Sequence, residues 1–554
     1  MSLKISTDSA SFRDMREKNQ LYIDKTAYIE KLLNDEDRLF FLQRPRRFGK
    51  SLFLSTMESL FQGDENLFDG LALNASNYEF IKYPILKFSF TNMKWRSDID
   101  VELDIYKRVC VAAKTFGLSV EDKLESSSNS LNELVMQLKK RTDTRIVILV
   151  DEYDSPILSA LEDPKKAMAN ATVLGGFFNT IKDLNQNEYI RLAFVTGVSK
   201  FSMTSIFSGA NIFTDISEKK EYANICGITL DEFDKYLRDP ILEMFEEGSF
   251  GDKKFKSGVA FIKALKDMYD GYTWNSIDKI INPFSLLRSV KNRELKPYWF
   301  WSGTPTFLHK FVRSNPEESV NLERIEMNSD ELERQSADEI SLIPLLYQTG
   351  YLTQAHRVED GVYTLKIPNK EVRNSFNILI LKSFAGGKIK EISNLGSNLL
   401  QAFKENDEKA IQDRLTELIS NLGFYENELY ERTFNTIIKI FLILVGVNNY
   451  YSELKIKGGR IDICFMLDDK KAILLELKAF KHELGKRKSE LEKKFASTLK
   501  QASEQLRKYY DPLFDEIKAD EIQGIALALA WDLGVRAKLD KKVRRGRNRR
   551  RPSR

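Results

Sequence analysis

Gly49-Lys50-Ser51 closes the stretch RPRRFGKS at 44–51 and leads straight into an apolar run with helical spacing. Backbone N–H groups at the start of such a helix point at an anion, a lysine beside them reaches phosphate oxygens, and a serine hydroxyl can bind Mg²⁺. Later in the chain, the apolar run VILV at 147–150 ends in Asp151-Glu152. The first carboxylate can orient Mg²⁺ through water and the second can polarise an attacking water. A further apolar stretch, YIRLAFVTGVS at 189–199, carries the polar Thr196 near its end. The chemistry these residues suit is nucleotide binding and hydrolysis.

The loop departs from the usual G-x-x-x-x-G-K-[ST] pattern, because Arg44 stands where the first glycine belongs. On the loop alone, a nucleotide site and a basic surface loop fit equally well. The order of loop, acidic pair and polar strand end favours the nucleotide site, since it repeats that of a P-loop ATPase.

A second constellation lies near the C-terminus. GGRIDICFMLDDKKAILLELK at 458–478 puts Asp462 near the start of one strand pattern and Glu476-x-Lys478 on the next. A hairpin would bring the two carboxylates side by side, able to hold Mg²⁺. Lys478, two residues beyond Glu476, shares its face because side chains alternate along a strand. A metal-bound water plus a lysine beside developing phosphorane charge is what phosphodiester hydrolysis needs. The bland reading of Asp462 is a strand-capping turn residue.

These residues depend on the elements that carry them. From Leu21 to about Ser217, helices alternate with apolar strands at 38–43, 145–154 and 189–199, as in a parallel sheet covered on both faces. From Asn224 to about Ser375 the pattern turns helical, with a helix capped by Thr229 and a β-rich piece around TGYLTQAHRVEDGVYTLKIPN. Beyond FAGGK at 384–388, helices over 395–445 precede three strands, a charged helix at 482–510 and a last strand at 524–531.

With 554 residues and 42% apolar content, the chain can fill several cores. The net charge of +4 conceals a tail, 541–554, with nine basic and no acidic residues; subtracting nine leaves −5 for the rest. Such a run reads as a solvated end, and equally as a nucleic-acid contact or nuclear-targeting signal. Three scattered cysteines and three scattered histidines offer no metal-ligand spacing. The apolar run IFLILVGV at 440–447 is too short to span a bilayer, so the expectation is a cytoplasmic protein with no membrane partner.

YIDKTAYIEKLL (22–33), RPRRFGKSLFLSTM (44–57), LVDEYDSPI (149–157), TGVSKFSMTSIFSGANIFTDIS (196–217) and YDGYTWN (269–275) resemble the AAA-ATPase-like family, over about residues 10–370. In that family Arg44 is the normal form. The resemblance implies ATP and Mg²⁺ as cofactors, with Lys50 and Gly49 on the phosphates and Ser51 and Asp151 on the metal. It also implies Glu152 as catalytic carboxylate and Thr196 or Ser199 as sensor of the γ phosphate. Arg46 and Arg47 add positive charge at the nucleotide, or else pair with surface carboxylates. NPFSLLRSV (282–290) and LLYQTGYLT (345–353) match the family's second half, where their roles are read as structural.

Residues 395–532 resemble the PD-(D/E)XK nuclease superfamily. That resemblance implies Asp462 and Glu476 as metal ligands and, with Lys478, as catalytic residues. It adds Glu431 on a preceding helix and Gln505 on a following one, although the charged insertion at 482–497 lengthens the path to Gln505. The expected fold is α/β: a P-loop NTPase parallel sheet with a helical, winged-helix-like lid, then an α/β PD-(D/E)XK nuclease-like domain. Expected boundaries are 1–220, 221–385, 386–536 and a basic disordered tail at 537–554. The expected function is ATP binding and hydrolysis joined to metal-dependent cleavage of nucleic acid, DNA rather than RNA, with self-assembly through the ATPase domain. The alternative is a nucleotide-gated binding or scaffold protein whose nuclease fold is silent.

Overall fold

The computed structural model describes residues 4–543 apart from 8–9, 77, 92–97, 121–125, 201–212, 247–254, 256, 302–305, 316–317, 320–321, 323–324, 334–340, 360, 386–388, 422–434, 436–437, 440, 443–444, 446, 448–449, 469, 481–487, 518 and 531–533. They form two compact units, one of residues 1–308 and 322–375, the other of 309–321 and 376–554.

The first unit is built on five parallel strands: β1 (Leu39–Gln43), β2 (Ile85–Ser89), β3 (Ile146–Asp151), β4 (Ile190–Gly197) and β5 (Thr214–Asp215). Their order is β2-β3-β4-β1-β5. β1 and β3 are buried along their whole length, because a parallel sheet with helices on both faces leaves no strand face to water. β4 separates β1 from β3, so the carboxyl ends of these three strands lie side by side. That edge is where open α/β sheets bind ligands.

Helix α1 (Lys50–Phe61) follows β1 through the glycine-lysine-serine loop. Farther on, Thr229 and Glu232 form a capping box on the helical turn Leu230–Phe233, as the sequence led us to expect. Helices α2 (Gly258–Tyr269), α3 (Pro283–Asn292) and α4 (Leu342–Thr349) follow in the same unit. A small antiparallel sheet of residues 325–328, 353–359 and 362–366 accounts for the β-rich piece.

The second unit holds a mixed sheet whose order follows the chain: β6 (Tyr450–Ile456), β7 (Gly459–Met466), β8 (Lys471–Ala479), β9 (Glu521–Ala530) and β10 (Gly534–Val543). Helix α5 (Lys488–Glu516) connects β8 to the parallel β9, and its buried Ala502, Leu506, Tyr509 and Leu513 share a cluster with Ile461, Cys464 and Leu474. The opposite face packs on Leu399, Phe403, Leu415 and Leu418 from helices at 389–405 and 408–421.

Residues 537–543, expected in a disordered tail, belong instead to β10, which pairs with β9 as far as Val543. Val535, Ala537 and Leu539 pack into the core in alternation with Arg536, Lys538 and Asp540. This is the period of an edge strand, which the neighbouring lysines obscured. Residues 544–554 lie outside the described residues. No helix among the described residues is long and apolar enough to cross a membrane.

Candidate functional site

The N-terminal site forms at the carboxyl ends of β1, β4 and β3. Asp151, the last residue of β3, accepts a hydrogen bond on each carboxylate oxygen: from Ser51 Oγ to Oδ2 at 2.5 Å and from Thr196 Oγ1 to Oδ1 at 2.7 Å. Three residues from distant parts of the chain thus form one polar cluster at the start of α1. A serine hydroxyl beside an aspartate is a donor set suited to a hydrated Mg²⁺.

Gly49 caps α1 with φ +98°, a left-handed conformation that glycine adopts without strain. Lys50 is buried, and its Nζ donates to the carbonyls of Arg44 at 2.7 Å and Pro45 at 2.9 Å. Burial pushes its ammonium below the usual lysine range, while the nearby Asp151 opposes that shift. Glu152 follows in a left-handed conformation, φ 53°. Burial raises its carboxyl above the ordinary range and Asp151 adds to the rise, whereas Lys50 lowers it. A carboxylate held nearer neutrality is suited to accepting a proton.

Thr196 and Ser199 take different partners. Thr196 joins Asp151, whereas the Ser199 hydroxyl donates to Asp154 Oδ2 at 2.6 Å. Asp154 is buried and also accepts from the backbone N–H groups of Val198 and Ser199. Burial drives its carboxyl upward. Its place among the partners of residues 198–199 was hidden in the sequence, where DEYD offers three acids at once. Arg46 and Arg47 are exposed; the Arg47 guanidinium lies 4.7 Å from the Phe284 ring centre, and the charge of Arg46 reaches Glu152.

Arg44 explains how the loop dispenses with its first glycine. The side chain is fully buried and donates to the carbonyls of Gln43, Ser217, Tyr222 and Ala223. Its guanidinium sits 4.3 Å from the Trp274 ring centre. Desolvation brings its pKa down to about 10. Phe48 packs edge-on against Tyr272 and Trp274, so the YDGYTWN motif clamps the loop from a distance in sequence. Gln43 donates from Nε2 to the Gln348 carbonyl, and Gln348 Oε1 accepts from the Lys200 backbone. The LLYQTG stretch thereby bridges two strand ends. Behind Gly49 lies an apolar cavity of about 80 Å³, lined among others by Tyr22, Ile23, Phe48, Cys226 and Pro283.

In the second unit, the register that pairs Ile463 with Leu475 carries Asp462 to the level of Glu476. Asp462 Oδ2 accepts from the Leu477 backbone N–H at 2.8 Å. Glu476 is fully buried, with Lys478 Nζ 3.3 Å from its Oε1. Gln505 donates to the Tyr509 hydroxyl at 2.6 Å. Burial raises that phenol, and the charges of Glu476, Asp462 and Lys478 all reach it. Helix α5 therefore brings Gln505 to the same locality despite the insertion before it. Glu431 lies outside the described residues. Among the described residues, no group of three or more His, Cys, Asp or Glu side chains could hold a metal ion.

A parallel five-stranded sheet, a glycine-lysine-serine loop at its edge and an acid at a neighbouring strand end define a P-loop-like nucleotide-binding domain. Residues 7–207 match the family model described as predicted AAA-ATPase. The chain is also 30% identical over 474 residues, 84% of its own length and 87% of the relative's, to an uncharacterised protein in the vnfD 5′ region of Azotobacter chroococcum mcd 1. The chain belongs to this predicted AAA-ATPase family. No solved structure matches it.

Proposed function

We propose that the first unit binds and hydrolyses ATP and that the second cuts nucleic-acid phosphodiesters. One observation carries the first half: Ser51 and Thr196 converge on the two oxygens of Asp151 at the mouth of the phosphate loop. Ser51 and Asp151 would hold Mg²⁺, which supplies charge neutralisation at the phosphates when bound. Lys50 leaves the loop carbonyls for the phosphate oxygens, a better partner for a buried cation. Glu152 accepts the proton of the attacking water, and Thr196 holds Asp151 in its orientation. The apolar cavity behind Gly49 is suited to a nucleoside base.

For the second unit, support comes from Asp462 and Glu476 at one level of adjacent strands and Lys478 two residues beyond, its Nζ 3.3 Å from Glu476, with Gln505 donating to Tyr509 nearby. Asp462 and Glu476 would hold a divalent cation, which activates water when bound. Lys478 would meet the developing negative charge. Exposed Lys455 stands directly across from exposed Arg460 on the hairpin leading to Asp462, and exposed Lys457 lies at its turn. These exposed basic side chains suit a phosphate backbone. A second reading, a fold that holds nucleic acid without cutting it, draws on the Lys478–Glu476 ion pair, which engages an acid the metal would need.

Calorimetric titration of Mg·ATP into the full chain and its Lys50→Ala variant tests the first half. Loss of one phosphate-binding cation should weaken binding at least about 100-fold, on the order of 3 kcal/mol. Equal affinities would remove the loop from the nucleotide site.

A further inference from the structure

Three consecutive loop residues are gripped from outside the loop. The indole N–H of Trp299 donates to the Arg46 carbonyl at 3.2 Å, the Phe284 ring centre lies 4.7 Å from the Arg47 guanidinium, and Tyr272 packs edge-on against Phe48 at 4.8 Å. One side chain ties these grips together. Glu371, at the start of the helix Lys370–Ala385, is 1% exposed. Its Oε1 accepts from the Trp299 backbone N–H and from Ser285 Oγ, both at 2.8 Å, and Ser285 is the neighbour of Phe284 on α3. Its charge also reaches Tyr272. Its other oxygen, Oε2, has no partner at ordinary hydrogen-bond geometry, and the Tyr298 backbone N–H makes only a weaker approach to the carboxyl.

A buried carboxylate with one unmatched oxygen is costly as an anion and tolerable as a neutral acid. Among the described residues, no cation pairs with it. The ionisable groups facing it are the phenols of Tyr269 and Tyr272, both held protonated by burial. Nearby charges have other partners: Arg288 lies over Phe284 and Tyr298, Lys370 pairs with Asp267, and Lys296 pairs with Glu294. Desolvation raises the carboxyl to about 7, against the pull of hydrogen bonds from the Trp299 backbone, Ser285 and the Tyr298 backbone.

We propose that Glu371 is a positioning residue of the phosphate loop, acting through Trp299, Phe284 and Tyr272, and that gain or loss of its proton tunes nucleotide affinity. The sign follows from charge. A nucleotide brings several negative charges to the loop, and an ionised Glu371 behind the loop repels them, whereas the neutral acid does not. Proton and nucleotide therefore favour each other, and by linkage affinity falls as pH rises through about 7.

This inference rests on the nucleotide-binding reading, and its test separates the two. Mg·ATP is titrated calorimetrically into the full chain, Glu371→Gln and Trp299→Phe, from about pH 6 to pH 8. Between these limits the wild type should lose about fivefold more affinity than Glu371→Gln, whose residual slope reports the ionisation of ATP itself. Trp299→Phe, which removes the bond to Arg46 together with part of the ring packed on Tyr351, should weaken binding about threefold at every pH. Identical slopes in wild type and Glu371→Gln, or undiminished affinity in Trp299→Phe, would overturn the proposal while leaving nucleotide binding intact. Absence of ATP binding by the wild type at every pH would instead overturn the nucleotide reading, and this proposal with it. Should Glu371→Gln fail to fold, Ser285→Ala serves in its place. It removes a donor that favours the anion and must move the midpoint of the pH dependence upward; an unmoved midpoint overturns the proposal.

Discussion

The two candidate sites are assembled in different ways. In the second unit, Asp462, Glu476 and Lys478 meet through the register of two adjacent strands, and Gln505 arrives on the next helix. In the first unit, Asp151 and Thr196 come from the ends of β3 and β4 and Ser51 from the first turn of α1, and the loop before α1 is fixed by Arg44, Tyr272, Trp274 and Gln348. A site made by one hairpin depends on local geometry. A site made at a sheet edge depends on segments that never touch the ligand, and so it can be regulated from a distance.

The largest effect expected from breaking this comparison is at Asp462. In the full chain incubated with plasmid and Mg²⁺ or Mn²⁺, Asp462→Asn should lower cleavage at least about 1,000-fold while ATP hydrolysis persists, because the two sites lie in separate units with their own cores. No cleavage by the wild type under any of these conditions, on DNA or RNA, would leave the second unit as a binding fold. Loss of ATP hydrolysis together with cleavage would show that the sites are not independent.

A smaller effect, on stability, is expected at Arg44. Arg44→Ala leaves the carbonyls of Gln43, Ser217, Tyr222 and Ala223 without their donor in a buried setting. Denaturant unfolding should show a loss of about 3 kcal/mol or more for the first unit, accompanied by weaker ATP binding. A change below about 0.5 kcal/mol would mean that the aromatic clamp holds the loop without the arginine.

The same contrast explains what the sequence made legible. The strands at 38–43, 145–154 and 189–199 correspond to β1, β3 and β4, since buried strands read as continuous apolar runs. Asp462, Glu476 and Lys478 could be placed on one face by the two-residue period alone. β2 escaped notice because ILKFS is short and interrupted by an exposed lysine, and β10 because its alternation is masked by basic residues. Arg44 looked like a missing glycine. Three of its four acceptors lie 173 to 179 residues away, and all are backbone carbonyls, which leave no trace in residue types. Asp154, Trp299 and Glu371 were hidden for the same reason: burial and a distant partner, not local pattern, give them their roles.

The central claim is that Asp151 and Glu152 divide the work, Asp151 holding the hydroxyls of Ser51 and Thr196 while Glu152 accepts a proton. It is tested most directly by measuring ATP binding and phosphate release on the same preparation of Glu152→Gln. The amide keeps the shape of the side chain and loses its basicity, so Mg·ATP should bind with near wild-type affinity while phosphate release slows by about 100-fold or more. Wild-type phosphate release from Glu152→Gln would contradict the account and move the proton acceptor elsewhere in the site.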